Sequence, residues 1–276
     1  MQQSKSELQS RPSYWTIARN AGLAGTIAGA SSEGLMYGLD SYKTQIQQGQ
    51  RIQLSRLFRG MLPVLCIGAG PSFGSFFLTY APVKHACEQS GSSVLAVTVA
   101  SLVCAVPSTF VIVPSDVIKK RLVLGIDTSV GAAVTRIWQE SGFAGFFVGW
   151  RANLAMNMPF AVVKMGFYET CVAIYKTAAQ KEQLSALESA GAGLVSGAAT
   201  GLVTTPLDVV NTQLKSGTLK STGLVAAHFE LARTQGIRAL FQGAAPRVLL
   251  LGLGSSIFWA AYNRVAAALE GQQQQV

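Results

Sequence analysis

Long apolar stretches alternate with shorter polar segments along this 276-residue chain. Six of the stretches carry few charges and are long enough to cross ~30 Å of hydrocarbon as helices. They cover residues 15–39, 61–83, 92–115, 152–175, 186–206 and 246–269. The pattern predicts an all-α membrane protein with six transmembrane helices.

Each odd-numbered stretch closes on a proline or glycine that is followed two residues later by an aspartate. The three motifs are Gly38–Lys43, Pro114–Lys119 and Pro206–Asn211, and their aspartates lie 76 and 92 residues apart. Recurrence of this kind indicates a repeat architecture, and an internal proline kinks a helix. We therefore predict three tandem two-helix repeats, covering residues 15–88, 89–180 and 181–270, with kinks at Gly38, Pro114 and Pro206. A polar tail (1–14) precedes the repeats and a Gln-rich tail (271–276) follows them.

Other features fall into register when the repeats are aligned on these aspartates. Two small residues, four positions apart, precede each aspartate, a spacing that lets helices approach closely in lipid. After each aspartate, a polar loop leads to a Phe-x-Gly tripeptide and to a second span that ends on a tyrosine. One additional residue separates the glycine from the tyrosine in repeat one. The small pairs are Gly25 with Gly29, Ser101 with Ala105, and Gly193 with Gly197; the tripeptides begin at Phe58, Phe147 and Phe241; the tyrosines are Tyr80, Tyr168 and Tyr262.

The motif aspartates and the residues three positions after them predict a ring of ion pairs. If three like units surround a pseudo-threefold axis, the ends of the odd-numbered spans meet at one membrane face. The expected partners are Asp40 with Lys119, Asp208 with Lys43, and Asp116 with the uncharged Asn211. Unpaired acids would be costly there, and a closed ring that must break for passage is a gate. The alternative is that these pairs only brace the bundle.

Composition and charge bear on which classes of function the chain can have. The chain is 49% hydrophobic and 13% charged with a net charge of +9, and 14 of its 22 Lys and Arg lie in segments 41–60, 117–151 and 209–247. These segments join the two spans of each repeat, so the bias is either the usual one of membrane-protein loops or a contact with anionic lipid. No basic stripe with interleaved aromatics predicts nucleic-acid binding. No phosphate-binding loop, metal-ligand cluster or activated nucleophile predicts an enzyme, a cofactor or a bound metal.

The three motifs resemble the signature P-x-[DE]-x-x-[KR] of the mitochondrial carriers, and the resemblance covers roughly residues 12–270. Within that family the chain is most similar to the S-adenosylmethionine carrier branch. The similarity rests on Val113–Arg121, Thr204–Val210 and Ala245–Arg247, and on the short loop of the first repeat.

The resemblance implies a monomeric, pseudo-threefold barrel of six helices that opens alternately to the two sides of an organellar inner membrane. The ring of ion pairs becomes its matrix gate, with Gln47 as a brace, and a small-molecule solute binds midway down the cavity. Cardiolipin-like phospholipid is an expected partner. The implied substrate contact points are Gly68 with Ala69, Met156 with Asn157, and Leu251 with Gly252.

The chain also departs from the family pattern. Carriers of amino-acid-like substrates have an arginine and an acid where this chain has Met156 and Asn157, so a carboxylate-binding group is missing. Glu33 stands where the S-adenosylmethionine branch has an acid facing the cavity. The alternative is a structural role, in which Glu33 is satisfied by a partner within the bundle. Lys164 either replaces the missing arginine or pairs with Glu33, and Arg247 contacts a substrate carboxylate or phospholipid. The gate on the opposite side is eroded to one expected pair, Lys84 with Glu169.

Two functions are compatible with these sequence features. The first is a solute transporter, by uniport or exchange, for S-adenosylmethionine or a related amino-acid-like or nucleotide-like solute. Its location is the mitochondrial inner membrane or, alternatively, a plastid envelope. The second is a carrier-fold protein that has lost transport and serves as a structural subunit of a larger membrane complex, as the eroded gate, the missing charged pair and Asn211 suggest.

Overall fold

The computed structural model describes residues 14–47, 52–88, 93–181, 183–215 and 224–273. The described residues are almost entirely helical and contain no strand. They divide into two compact units, one made of residues up to 162 together with those from 261 onward, and one made of residues 163–260. The N-terminal tail that the sequence predicts lies outside the described residues as far as position 13, and so do positions 274–276 of the C-terminal tail.

Six long helices fall where the apolar stretches predict them. Helix α1 is Tyr14–Gln47, α3 is Ser93–Val123, α5 is Trp150–Ala179, α6 is Ala186–Lys215 and α8 is Ala244–Gln273. Helix α2 is built from Met61–Pro63, a π-helical turn at Val64–Ala69, and Gly70–Glu88. Two short helices, α4 (Val130–Ser141) and α7 (Leu224–Gln235), lie in the loops of the second and third repeats.

Four segments of the described chain have the length and apolar composition of membrane spans, namely Leu54–Glu88, Val94–Val123, Ala186–Val210 and Ile237–Leu269. Helices α1 and α5 are equally long but more polar, since they carry groups such as Glu33, Asp40 and Lys164. Ionisable groups in membrane helices face a bundle interior or an aqueous cavity. The ionisable groups of these two more polar helices are therefore candidates for the functional site.

Helix α6 has the inverted polarity expected of a helix in lipid. Its large apolar side chains are exposed, whereas serine, threonine and glycine residues occupy its buried face. The buried hydroxyls donate to the carbonyl one turn earlier, as in Thr200 to Ser196 at 2.7 Å and Thr204 to Thr200 at 2.7 Å. A bilayer, unlike water, favours apolar side chains on the outside. The exposed apolar residues are Leu187, Leu194, Val195, Leu202 and Val203.

Each predicted motif lies inside a helix. Helices α1, α3 and α6 continue through Gly38, Pro114 and Pro206 and are still helical at Gln47, Val123 and Lys215. The apolar stretches close at these motifs but the helices do not, and the kinks expected at the three positions stay predictions. A proline removes one backbone donor and can be accommodated by a long helix whose remaining hydrogen bonds hold it together.

The Phe-x-Gly tripeptides form the corners that begin the second helix of each repeat. Their glycines, Gly60, Gly149 and Gly243, have φ of 71°, 80° and 80° and directly precede α2, α5 and α8. Positive φ is readily adopted only by glycine, which explains why this residue recurs in all three repeats.

The additional residue of repeat one lies in the same span as a structural irregularity. The six residues Val64–Ala69 form a π-helical turn, whereas α5 and α8 are α-helical over their full length. A π turn has a wider i→i+5 ring and is the usual way in which a helix absorbs an inserted residue. The turn therefore accounts for the longer spacing between Gly60 and Tyr80.

The small-residue pairs are seams between neighbouring helices. A Cβ atom added at Gly29 would lie 2.6 Å from Cβ of Phe73 in α2, and one added at Gly197 would lie 2.7 Å from Cβ of Ser255 in α8. In the second repeat, Ser101 and Ala105 are buried on α3. Between repeats one and two, Ser72 donates from its Oγ to the carbonyl of Ser108 at 2.8 Å.

We expect Gly197→Ala to destabilise the protein by about 1–3 kcal/mol, because the new methyl group overlaps α8. Gly191→Ala is the matched control on the same helix, since a Cβ there meets nothing within 4 Å; it should be neutral or stabilise by up to ~1 kcal/mol. Thermal unfolding of the purified protein measures both. Equal midpoints for the two variants would contradict the close approach of α6 and α8.

Candidate functional site

Four residues of α1 and α3 form a compact group that we call the Lys119 cluster: Glu33, Tyr37, Asp40 and Lys119. The first three occupy one face of α1 because their spacing of four and three residues matches the helical period. Lys119 reaches them from α3, with its Nζ 2.7 Å from Oε1 of Glu33 and 2.9 Å from Oδ2 of Asp40. The same Nζ lies 4.3 Å from the centroid of the Tyr37 ring.

Burial explains why this lysine has three partners. Its side chain is 9% exposed, compared with 30% for Glu33 and 51% for Asp40. A charge withdrawn from water is stable only when it is paired and hydrogen-bonded, and the face of an aromatic ring adds further attraction. Tyr37 is itself fully buried and donates from its hydroxyl to the carbonyl of Arg59 at 2.8 Å. The cluster is thereby tied to the corner that begins α2.

The predicted pair of Asp40 with Lys119 is thus present in the structure. Sequence reasoning missed that Lys119 also binds Glu33, although the seven-residue spacing between the two acids was a signal that they share a helix face. Among the described residues, Asp116 forms no ion pair. The side chains of Lys43, Gln47 and Asn211 lie outside the described residues, so their roles in the gate stay predictions.

The third motif aspartate has a partner within its own repeat. Oδ2 of Asp208 lies 2.7 Å from Nη1 of Arg247, and Nη2 of Arg247 donates to Oγ1 of Thr204 at 3.2 Å. The seam between α6 and α8 makes this possible, since a Cβ at Gly201 would lie 3.0 Å from Cα of Val248. From the sequence we expected Arg247 to contact a substrate carboxylate or phospholipid. The structure shows Asp208 as its partner, which the sequence had not indicated.

The predicted substrate contact points have different surroundings. Gly68 and Ala69 are buried in the π turn, and Gly68 packs directly against Ser115 of the second motif. Asn157 is exposed and donates to Oγ1 of Thr109 at 3.3 Å, and its neighbour Met156 is partly exposed. Leu251 and Gly252 contact α6, where the carbonyl of Leu251 faces Gly197 and Gly252 lies against Leu194.

Lys164 belongs to an aromatic environment in the second unit. Its Nζ lies 5.4 Å from the centroid of the Phe258 ring. One turn further along α5, Tyr168 stacks face to face on Trp259 with ring centroids 3.4 Å apart. Aromatic faces attract cations, so the ring of Phe258 gives the Lys164 ammonium a favourable surrounding.

The tyrosines that end the second spans make ring contacts in all three repeats. Tyr80 stacks on Phe76 at 5.5 Å, and Tyr262 lies 4.6 Å from Phe77; Tyr168 has the contact with Trp259 described above. Lys84 lies 3.7 Å from Glu88 on its own helix, and the pair of Lys84 with Glu169 stays a prediction. Sequence reasoning recognised the tyrosines but not the aromatic partners, whose positions do not repeat.

A further ion network fixes the loop of the second repeat and takes no part in the cluster. Asp127 is 2% exposed and pairs with Nε of Arg121 at 2.6 Å and Nη1 of Arg136 at 3.0 Å. Arg121 also reaches Glu140 at 3.2 Å. These pairs connect the end of α3 to α4, so we assign them a structural role.

Long helices that turn apolar side chains outward and pair their buried charges between helices are typical of polytopic membrane transporters. Comparison with known proteins specifies the class. The sequence model of the family "Mitochondrial carrier protein" matches residues 90–179 and 182–273. The chain belongs to this family. It is a membrane-embedded solute transporter of the all-α carrier fold and is not an enzyme.

Several named relatives are similar over most of the chain. S-adenosylmethionine carrier 1, chloroplastic/mitochondrial, of Arabidopsis thaliana is 35% identical over 86% of this chain and 75% of its own length. The mitochondrial S-adenosylmethionine carrier protein of Xenopus laevis is 30% identical over 90% of this chain and 96% of its own length. The mitochondrial RNA-splicing protein MRS4 of Saccharomyces cerevisiae is 26% identical over 87% of this chain and 88% of its own length.

We predict that Asp208 and Arg247 are energetically coupled. In a double-mutant cycle with Asp208→Asn and Arg247→Gln, the interaction energy should be roughly 0.5–3 kcal/mol, the range for residues in direct contact. Thermal unfolding of the four proteins measures it. A parallel cycle of Asp208→Asn with Lys43→Gln tests the partner predicted from sequence, and additive effects in the Arg247 cycle would contradict the pair.

Proposed function

We propose that this carrier moves S-adenosylmethionine or a related cationic, amino-acid-like or nucleotide-like solute by alternating access. The names of the relatives at 30–35% identity support this substrate class. The observation that carries the proposal is Glu33, a half-buried acid within a long helix whose Oε1 alone contacts Lys119. A sulfonium or ammonium group on a solute is the complement of that carboxylate.

Glu33 is the acid in the cluster that we assign to the substrate. It lies one helical turn before Tyr37 and two turns before Asp40, deeper in the membrane span and at the position of the cavity acid in the related branch. Its side chain is 30% exposed and only its Oε1 is used by Lys119. The second oxygen therefore remains available for a solute cation, and Asp40 stays with the gate.

The proposed transport cycle uses Asp40 and Lys119 as a joint of the matrix gate. The pair connects α1 of the first repeat to α3 of the second, so these helices separate only when it breaks. Asp116 with Asn211 and Asp208 with Lys43 are the other proposed joints of the ring. We propose the mitochondrial inner membrane as the location, with the plastid envelope as the alternative, and a monomer in contact with cardiolipin-like phospholipid.

The same chain has features that favour the structural-subunit function. Met156 and Asn157 offer no charge to a substrate carboxylate, and the sequence keeps few charged residues at the expected outer-gate positions. If those losses have abolished transport, the purified protein moves no solute and co-purifies in fixed stoichiometry with other membrane proteins. Reconstitution into proteoliposomes distinguishes the two functions directly.

We predict that Glu33→Gln weakens uptake affinity for S-adenosylmethionine by about tenfold to a hundredfold. A charge-assisted hydrogen bond contributes roughly 1.5–3 kcal/mol, and ~1.4 kcal/mol corresponds to a factor of ten. Anionic solutes should be unaffected or bind more tightly. Uptake of labelled cationic and anionic solutes into proteoliposomes gives the affinities, with Glu88→Gln as a control that removes an exposed acid.

Two outcomes of this experiment would count against the proposal. Indifference of every transported solute to Glu33→Gln would make Glu33 a structural residue. Absence of any uptake by the wild-type protein would favour the structural subunit.

We predict that Asn211→Lys biases the carrier towards the state with a closed matrix gate. The new ammonium would stand at the signature position opposite Asp116, and a coupling of about 1 kcal/mol shifts the two-state equilibrium roughly fivefold. Thiol labelling of single cysteines introduced on the two sides of the gate reports the shift. Asp116→Asn should cancel it, whereas an unchanged labelling pattern in Asn211→Lys would make the ring a brace.

A further inference from the structure

We propose that two aromatic ring pairs hold the outer end of α8 against the other repeats, in the place where an outer gate would use ion pairs. The outer end is the end opposite the matrix gate, where the second span of each repeat closes on its tyrosine. The inference rests on alternating access, which belongs to the proposed function, and it is independent of the choice of solute.

Helix α8 offers little charge for an ion pair at this end. The sequence from 248 to 263, which includes the tyrosine of repeat three, contains no charged residue. The next charged residue is the base Arg264, which is exposed. The nearest acid, Glu270, follows Tyr262 by eight residues, or more than two helical turns. A joint between α8 and another repeat near Tyr262 must therefore use other side chains.

Two aromatic pairs provide such joints. The ring of Tyr262 lies 4.6 Å from that of Phe77 in α2, which belongs to repeat one. One turn earlier on α8, Trp259 stacks on Tyr168 of α5, in repeat two, with ring centroids 3.4 Å apart and planes within 2° of parallel. Phe77, Tyr168 and Trp259 are buried. Each pair connects repeat three to a different repeat, and each includes a tyrosine that ends a second span.

Ring pairs of this kind oppose opening of the outer end. An aromatic side chain buries about 150–250 Å², and paired rings attract each other beyond the effect of the buried area. Between helices in lipid, apolar contact brings no hydrophobic gain. Opening towards the outer solution is different, because it brings water onto the separated rings, and hydration of apolar surface is unfavourable. The pairs also leave no unpaired charge behind when they separate, unlike an ion pair.

A neighbouring ring contact serves as the internal comparison. Phe76 lies 5.3 Å from Phe77 and 5.5 Å from Tyr80, and all three residues belong to α2. Contacts within one helix are kept when helices move apart. Loss of the Phe76 ring therefore removes aromatic surface from the same region and leaves the two joints of α8 in place.

The joint between α2 and α8 is tested by distance measurement on the full-length protein in nanodiscs without solute. Spin labels are attached at Ala86→Cys on α2 and Ala267→Cys on α8, both exposed positions, after replacement of the native cysteines by serine. Double electron–electron resonance gives the populations of short and long distances. We expect Tyr262→Leu and Phe77→Leu to raise the population ratio of long to short distances roughly two- to tenfold, which matches the strength of one aromatic pair.

Two control variants separate the ring pair from general damage. Phe76→Leu should keep the wild-type distribution. Tyr262→Phe, which keeps the ring and loses the hydroxyl, should also behave like wild type. Equal shifts in Phe76→Leu and Tyr262→Leu, or no shift in Tyr262→Leu and Phe77→Leu, would overturn the inference.

The joint between α5 and α8 is tested in the same way with labels at Thr177→Cys and Ala267→Cys, which are exposed. Trp259→Leu should raise the share of long distances, and Trp259→Phe, which keeps a ring, should have a smaller effect. Tyr168→Leu removes the other ring of the pair and replaces Trp259→Leu if that variant fails to fold. Identical distributions in the Leu variants and wild type would contradict this joint.

The measurement distinguishes failure of this inference from failure of the proposed function. A single distance in wild type and in every variant would reject alternating access, and the aromatic joints with it. Two populations whose ratio does not depend on the rings would leave alternating access in place and overturn the aromatic joints alone.

Discussion

A charge buried in a membrane protein must find its counter-charge inside the protein, since the surrounding hydrocarbon offers none. The arrangement of α1 and α3 follows from this constraint. Lys119 is withdrawn from solvent and held by Glu33, Asp40 and the ring of Tyr37. The small residues of α1 make this arrangement possible. Gly25 and Gly29 let α2 pack closely against one face of α1, and the acidic face of α1 is left to contact α3.

The three repeats share backbone features, whereas the ion pairs made by their described side chains differ. Each has a glycine corner with positive φ at the start of its second helix, and each has a small-residue pair on its first helix. The ion pairs of the described side chains are of two kinds. Asp40 pairs with a lysine of the next repeat, whereas Asp208 pairs with an arginine of its own. A corner depends on local backbone sterics, so it recurs with its sequence motif, but an ion pair depends on which side chains two helices present to each other.

The same distinction decides what the sequence could predict. The long helices and the small-residue seams rest on local patterns and were predicted from them, and the repeated Phe-x-Gly tripeptides marked the places where the glycine corners lie. The pair of Asp40 with Lys119 followed from repeat geometry. Arg247 was not assigned to Asp208, because no periodic signal connects the start of α8 to the end of α6. The aromatic partners Phe77 and Trp259 were missed for the same reason, since they occur at different offsets from the repeated tyrosines.

Ion pairs within a repeat and ion pairs between repeats respond differently to movement of the helices. A pair within one repeat, such as Asp208 with Arg247, stays intact when repeats move apart as rigid units, and it offers no resistance to that motion. A pair between repeats must break. Among the described motif residues, Lys119 forms ion pairs between repeats, with Glu33 and Asp40 of the first repeat. Glu33 is also the acid proposed to bind the solute.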